Sequence, residues 1–505
     1  KRTGKMGRGE NDPKDVQRKE KAKIQLKRNI GYFDGVSFII GSIVGAGIFV
    51  SPTGVLKHSL LNVGVALTIW TASGLVSLMG ALCYAELGAA LPFSGGEYSH
   101  IKRGLGSLPA FVFIWTSTFT KPASNAARAL LFAEYATQPF YGICPAPDVL
   151  KKCLALAVLW SLGILNGLSV KMAAWVQTVF TLLKMMALSV IAVGGIVLLV
   201  ARQKESLARF EDMFSSEIPN ASQVAEAFFQ GLYAYGGWWS LNYMAEEMKS
   251  PSRNIPLTVM TAVPAVIVFY LLVNISYLTY TRKVIYYSEH GTCTTLILCF
   301  LAVAVAVTWA DRVIPSAAWI IPLSVAVSIF GALNSSMFTL GRLSYAGSQS
   351  GHLPLLISML NVHSCTPAPA MIFSTIIASI FIIPSDLIIL NQYFIKDASL
   401  IGNLSQVTLL VHLFPKPLFF FLLQVFLPVP FMMVAMSFFL VLVPIVWSPN
   451  LQYVYAFLFM LGSLIVYLPF IYFKLHFAFL DKITCHLQLL LEVCPADGSA
   501  EGKCE

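Results

Sequence analysis

The groups best placed to do chemistry in this chain are backbone amides and carbonyls. Residues Gly41–Pro52 read GSIVGAGIFVSP and lie in an apolar run that starts near Val36. Gly45 and Gly47 flank the small Ala46, so little steric preference keeps this stretch helical. A helix interrupted at mid-membrane exposes N–H groups on one side of the break and carbonyls on the other. Irregular backbone at that depth is tolerated only where it lines a cavity. The N–H groups of a helix N-terminus suit a carboxylate, so this break is expected to form half of a substrate site. A second interruption stands in Gly231–Pro251, GLYAYGGWWSLNYMAEEMKSP, where Gly236-Gly237 breaks an apolar helix among aromatics. Glycines also allow plain close packing of helices, the competing reading of either break. Paired interruptions in corresponding halves of a chain point instead to a carrier with a midplane site.

Lys184, in FTLLKMMAL, is the side chain that most needs a reason. A charge at the centre of a spanning helix costs about 2.5–3.5 kcal/mol on insertion scales, and at this depth snorkelling does not reach the interface. Lys121-Pro122 and Asn125 form a second polar cluster, in TSTFTKPASNAARALLFAEY. Lys121 either shapes the electrostatics of the site or ties its span to a neighbour; Arg128 and Glu134 lie further along, toward the outer interface. Glu86 and Glu97 flank LPFSGG and read as helix anchors pairing with Lys102 or Arg103. Glu246 and Glu247 precede Lys249 and Arg253, as an inner gate or a surface salt-bridge network would.

The elements that must position these groups are membrane helices. The chain is 57% hydrophobic and 12% charged, whereas a soluble chain carries about 25% charged residues. Its mean hydropathy is +0.72. The apolar residues fall in blocks near the ~20 residues that a spanning helix requires. Spans are predicted at 34–58, 64–92, 108–137, 152–168, 172–200, 222–247, 257–280, 317–346 and 368–384, with less regular segments beyond. The breaks fall in the first and sixth. Much of the net charge of +9 sits in Lys1–Arg28, a polar tail without the layout of a cleaved signal peptide. Basic residues beside the first span predict a cytoplasmic N-terminus, and the tail can also touch anionic lipid; a nucleic-acid partner is not indicated. Residues 1–30 are thus read as a cytoplasmic basic tail, 31–475 as a transmembrane domain and 476–505 as a cytoplasmic C-terminal tail. In that tail Leu480–Val493 has the pattern of an amphipathic surface helix.

The nine cysteines show no CxxC pair, and no His/Cys/Asp spacing supports a metal. No nucleophile–base constellation stands out either, so neither enzyme activity nor a cofactor is expected. Cys83 and Cys299 lie in apolar runs. Cys144, in YGICPAP on a predicted outer loop, is available for pairing in an oxidising compartment; Cys153, at the start of the next helix, is a competing intrachain partner. Asn220-Ala221-Ser222 is a glycosylation sequon on a predicted outer loop. The cores of the first and sixth spans hold no charged residue, so a charged substrate side chain would lack a partner there. That favours neutral amino acids, with Tyr235, Trp238 and Trp239 making an aromatic-tolerant environment, while Lys121 leaves an acidic substrate or cystine open.

GAGIFVSP, CYAELGAALPFSGGEY, CPAP and AYGGWWSLNYMAEEMKSPSRNIP resemble the light (catalytic) subunits of heteromeric amino-acid transporters, in the amino acid–polyamine–organocation superfamily. The resemblance runs from about Gln25 to about Pro384 and resumes from about Val443. It is nearest the aromatic-preferring branch, beside branches for cystine, dibasic and acidic amino acids. It implies an all-α fold of about twelve spans, ten of them in two inverted repeats with broken helices 1 and 6. It also implies sodium-independent exchange by alternating access at the plasma membrane. By motif match, the backbone around Ser42, Gly45, Ala46 and Gly47 would take the amino acid's carboxylate. Carbonyls around Ile43 and along Tyr233, Ala234 and Gly236 would take its ammonium. Tyr233 matches the gating aromatic, with ordinary packing as the other reading. Lys184 resembles a fixed cation that bridges the first and eighth spans where sodium-coupled relatives bind an ion. Cys144 matches the position at which the family joins a single-span glycoprotein heavy chain by a disulfide. Two segments depart from the pattern: Arg282–Val307 carries an extra run, and Asn391–Leu442 loses the expected tenth span. The second departure leaves a transport-inactive membrane partner as an alternative.

Overall fold

The computed structural model describes residues 26–141, 146–201, 214, 217–289, 306, 309, 313, 319–384, 428–447, 451–473, 475 and 478–495. Cys144, most of the basic tail, most of the extra run and residues 391–427 of the altered segment lie outside the described residues. The first predicted span is two helices, α1 (Tyr32–Ile43) and α2 (Gly47–His58), bent by 41° across Val44–Ala46. Asp34 opens α1 as a cap, its carboxylate accepting the Gly31 N–H at 2.9 Å. Asn62 does the same for α3 (Val63–Ala90), accepting from Val65 N–H at 3.1 Å. A short α4 (Glu97–Gly104) follows, then α5 (Ser107–Tyr141), α6 (Asp148–Leu168) and α7 (Val170–Ala201). Cys153 falls in the second turn of α6 and is exposed.

The sixth span begins as α8 (Ala221–Ala234), where the sequon residue Asn220 and Gln223 cap each other's backbone at 2.9 Å. It turns through Tyr235–Trp239 and resumes as a 3-10 helix, Ser240–Glu247, not as the α-helix that the sequence suggests. Then come α9 (Pro251–Glu289), α10 (Ile320–Gln349) and α11 (Ala368–Ile382). The described remainder is α12 (Pro428–Trp447), α13 (Leu451–Val466) and α14 (Ala478–Leu490). Among the described residues, four helices (α3, α7, α10 and Pro251–Leu278 of α9) are long and apolar enough to cross a membrane, and the bent α1–α2 pair makes a fifth. The chain is an all-helical polytopic membrane protein.

Packing gathers these helices around the breaks. α1 lies against α7, α9 and α10; α3 runs along α9; α5 runs along α10; and α2 runs along α8. Phe38, Ile39, Ile43, Val44, Ile48 and Phe49 of the first span are all buried in the largest apolar cluster. Two short strands, β1 (Met359–Asn361) and β2 (Val493–Pro495), pair antiparallel, with Leu360 opposite Cys494. They fasten the segment after α14 to the loop after α10.

The face of the molecule that carries Ile30 is closed by polar contacts. His352, after α10, is buried and bonds through both ring nitrogens, to Tyr98 Oη of α4 and Ser107 Oγ of α5, each at 2.8 Å. Burial, helped by nearby Lys102, pushes this imidazole down from 6.5 to about 4. A histidine held neutral in the fold stabilises fully above its unfolded value and loses that contribution as pH falls from 6.5 toward 4. Thermal unfolding in detergent should therefore weaken across that window, and His352→Gln should flatten the acid loss while lowering stability at neutral pH.

Candidate substrate site

The last carbonyls of a helix have no partner within it, and at the end of α1 other spans claim them. Lys184 Nζ, on α7, donates to Gly41 O at 3.0 Å, Val44 O at 2.7 Å and Ser328 O of α10 at 3.2 Å. An ammonium has three hydrogens, and all are used. Lys184 is fully buried. The side chain thus joins the first, fifth and eighth spans by charge-assisted bonds to backbone alone.

Past the break, Gly45 N–H turns back to Ile43 O at 2.9 Å. The N–H groups of Ala46, Gly47 and Ile48 are the first-turn donors of α2, which a helix cannot satisfy internally. In the second break Tyr235 N–H reaches Gly231 O at 3.2 Å and Gly236 N–H reaches Tyr233 O at 3.1 Å. Of the expected ammonium acceptors, Ile43 O and Ala234 O are both within reach of Tyr270 Oη, at 3.0 and 3.2 Å. The two breaks touch. Gly237 has φ +120°, a backbone region open to glycine, and a methyl there would lie 2.8 Å from the carbonyl carbon and oxygen of Ser42. A methyl on Gly47 would lie 2.6 Å from Ala234 Cα. A glycine of each interruption therefore seats on the backbone of the other.

Tyr233, next to last in α8, is 40% exposed, and Tyr235 and Trp238 are buried. Tyr235 packs on Tyr270 with ring centroids 4.9 Å apart, and Trp238 meets Tyr84 edge-on at 5.1 Å. These two rings line protein, not lipid.

The surrounding charges pair differently from the expectation. Glu97 does not pair with Lys102 or Arg103: it accepts from Tyr243 Oη at 2.6 Å and lies 3.7 Å from Lys121 Nζ. Lys121 in turn donates to Tyr243 Oη at 2.5 Å, so this lysine ties the third span to the 3-10 half of the sixth. Glu247 pairs with Arg342 of α10, not with Lys249 or Arg253, through bonds of 2.7 and 3.3 Å, both side chains fully buried. Glu134 pairs with Lys151 at 2.7 Å on the opposite face. Arg128 is half-buried on α5, within electrostatic range of Lys121, Lys184 and Tyr233, and has no carboxylate partner among the described residues.

Sequence reasoning missed a polar triplet on α10. Asn334 Nδ2 donates to Gln177 Oε1 at 2.9 Å, and its own Oδ1 accepts from Asn166 Nδ2 at 2.9 Å. Ser335 Oγ bonds Ser42 Oγ, and Ser336 Oγ donates to Asn125 Oδ1 at 2.6 Å. Three consecutive residues thereby reach α6 and α7, α1, and α5. Their adjacency inside an apolar helix was the available signal.

Two interrupted membrane helices crossing at their breaks, with a fixed ammonium beside them, define a broken-helix membrane protein with an amide-and-carbonyl site. A profile of the amino acid permease family matches residues 30–473. Solute carrier family 7 member 13 of Mus musculus is 44% identical over 479 residues, covering 95% of this chain and 97% of the relative. The b(0,+)-type amino acid transporter 1 of Homo sapiens is 39% identical over 493 residues, 97% of this chain and 98% of the relative. Solute carrier family 7 member 12 of Mus musculus is 37% identical over 481 residues, 95% of this chain and 100% of the relative. The chain belongs to the amino acid permease family, among the light subunits of heteromeric amino-acid transporters.

The glycine contacts between the breaks give a direct test. Each added methyl would strike backbone, and overpacking of this kind costs about 1–3 kcal/mol. Gly47→Ala and Gly237→Ala are expected to cut amino-acid uptake about tenfold or more at equal surface expression. Gly462→Ala, where a methyl meets nothing within 4 Å, should leave uptake unchanged.

Proposed function

We propose that this chain is a sodium-independent exchanger of amino acids that works by alternating access around the paired breaks. The observation that carries the reading is the Lys184 ammonium, fixed by Gly41 O, Val44 O and Ser328 O. A cation built into the joint between the first and eighth spans removes the need for one from solution. The first-turn amides of Ala46 and Gly47, with Ser42 and Gly45 beside them, take the substrate carboxylate. Carbonyls of Ile43 and of the Tyr233–Gly236 turn take its ammonium, and Tyr233 closes over the bound molecule. The b(0,+)-type relative is named as an amino acid transporter, which supports amino-acid transport here. The chain works in the plasma membrane with both termini cytoplasmic, joined through Cys144 to a single-span glycoprotein heavy chain. The buried rings of Tyr235 and Trp238 and the uncharged breaks suit neutral substrates, aromatic ones included.

Arg128 favours a second reading, an acidic amino acid or cystine as substrate. A charged group inside a membrane bundle has a partner or a task, and a guanidinium recognises a carboxylate in two parallel bonds. The test is exchange of labelled tyrosine, leucine, cystine and glutamate, with and without the heavy chain, in sodium and in choline. Uptake lost in choline would overturn the sodium-independent reading, and no exchange of any substrate would leave a transport-inactive partner. Glutamate uptake that Arg128→Gln removes, with leucine uptake kept, would establish the second reading over the first.

A further inference from the structure

We propose that an anionic phospholipid, from the leaflet at the Ile30 face, seats its headgroup on Lys27, Arg28, Lys249 and Arg253. Ile30 N–H donates to Glu247 O at 3.0 Å, and Lys249 N–H donates to Ile30 O at 2.9 Å. The segment ahead of α1 therefore runs beside the segment ahead of α9, and each brings two cations to the junction. All four are exposed, and none makes an ion pair with a described residue. The nearby carboxylates are committed elsewhere. Asp34 accepts the Gly31 N–H, Glu247 pairs with Arg342, and Glu246 is half-buried beside Ser94. Arg253 also stands in the first turn of α9, which holds no acidic residue. That is the positive end of the helix dipole, which disfavours a cation and favours an anion. An anion from outside the chain removes the mismatch.

The surface next to these cations is apolar. Arg253, Leu257, Met260 and Thr261 are exposed at the i, i+4, i+7 and i+8 positions of α9, which share one helix face. Phe33, 81% exposed, stands beside that face. Its ring meets Tyr32 edge-on at 5.3 Å, and Tyr32 Oη bonds Thr261 Oγ1 at 3.1 Å. Charge at one end with Phe33, Leu257 and Met260 below it matches a phosphate carried above acyl chains. A soluble polyphosphate or an acidic peptide would use the cations and leave the three apolar side chains bare. Because the headgroup touches both segments, its binding holds the start of the first span to the end of the sixth.

The full chain, purified in detergent, is titrated with phosphatidylserine or phosphatidylcholine. Thermal midpoint and lipid retained through gel filtration are the readouts. Phosphatidylserine is expected to raise the midpoint and to be retained, and phosphatidylcholine to do neither. Lys249→Gln with Arg253→Gln should weaken the apparent affinity about 30-fold, at about fivefold per cation. Lys27→Gln with Arg28→Gln should weaken it to a similar extent. Lys57→Gln, at an exposed cation on the far end of the first span, should change nothing. Phe33→Gln should weaken the lipid effect with all four cations kept. If a double variant unfolds, the single Lys249→Gln chain is read instead, with a loss of about fivefold expected. Glycerophosphoserine, the same headgroup without chains, should leave the midpoint in place; a shift equal to that of the whole lipid would overturn the lipid assignment. Phosphatidylserine held equally by wild type and by the cation variants would overturn the site itself. No exchange is measured, so either result stands apart from which amino acid the chain carries.

Discussion

Lys184→Met is expected to abolish exchange, with uptake falling about 100-fold or more. The substitution leaves Gly41 O, Val44 O and Ser328 O facing an apolar side chain. Each buried acceptor that loses its donor costs about 1–3 kcal/mol, and all three lie where the first span meets the eighth. Lys184→Arg should also fail, because the cage is tight: a methyl on neighbouring Gly331 would already lie 2.9 Å from the ammonium. Uptake in sodium and in choline, together with thermal unfolding in detergent, checks this. Normal exchange by Lys184→Met would show that the ammonium is dispensable to the joint.

Arg342→Ala is expected to cost about 3–5 kcal/mol of stability, because it strands the Glu247 carboxylate in a dry interior. Glu247 and Arg342 are both fully buried, and the guanidinium also stacks over Phe338 at 3.4 Å. Glu247→Gln keeps a hydrogen-bonding group of the same shape and should cost less. The double variant Glu247→Met with Arg342→Met removes both charges and should recover part of the loss. Thermal midpoints in detergent for the four chains order these cases. A single Arg342→Ala chain as stable as wild type would remove the pair from the structural argument. Since the pair joins the 3-10 half of the sixth span to α10, its loss should also raise labelling of cysteines introduced near Tyr243.

The features that the sequence announces are local ones. Closely spaced glycines in an apolar run mark both breaks, and a lysine with no business in a hydrocarbon layer marks the fixed ammonium. Partner choice is not local. Glu97 and Glu247 stand beside lysines and arginines in the chain, yet each bonds to a residue from a distant helix, because burial rather than proximity along the chain decides. Hydroxyls are harder still. Thr116, Thr118 and Ser374 bond carbonyls of their own helices, while Ser335 and Ser336 cross to other spans. Nothing in the residue type tells these behaviours apart. Tyr270 was hidden in the same way, one aromatic among many in α9. The 3-10 geometry of SLNYMAEE also escapes propensity, since Leu, Met, Ala and Glu are good α-helix formers; its side chains are held by Glu97, Lys121 and Arg342 instead.

Ile30 and Met248 form a parallel bridge, in which Ile30 N–H meets Glu247 O at 3.0 Å and Lys249 N–H meets Ile30 O at 2.9 Å. Main chain stitched to main chain makes the doorstep of the first span and the tail of the sixth a single shutter. Neither can swing aside alone without tearing both bonds. A tug on the residues ahead of Ile30 would therefore be felt first at the floor beneath the crossing point.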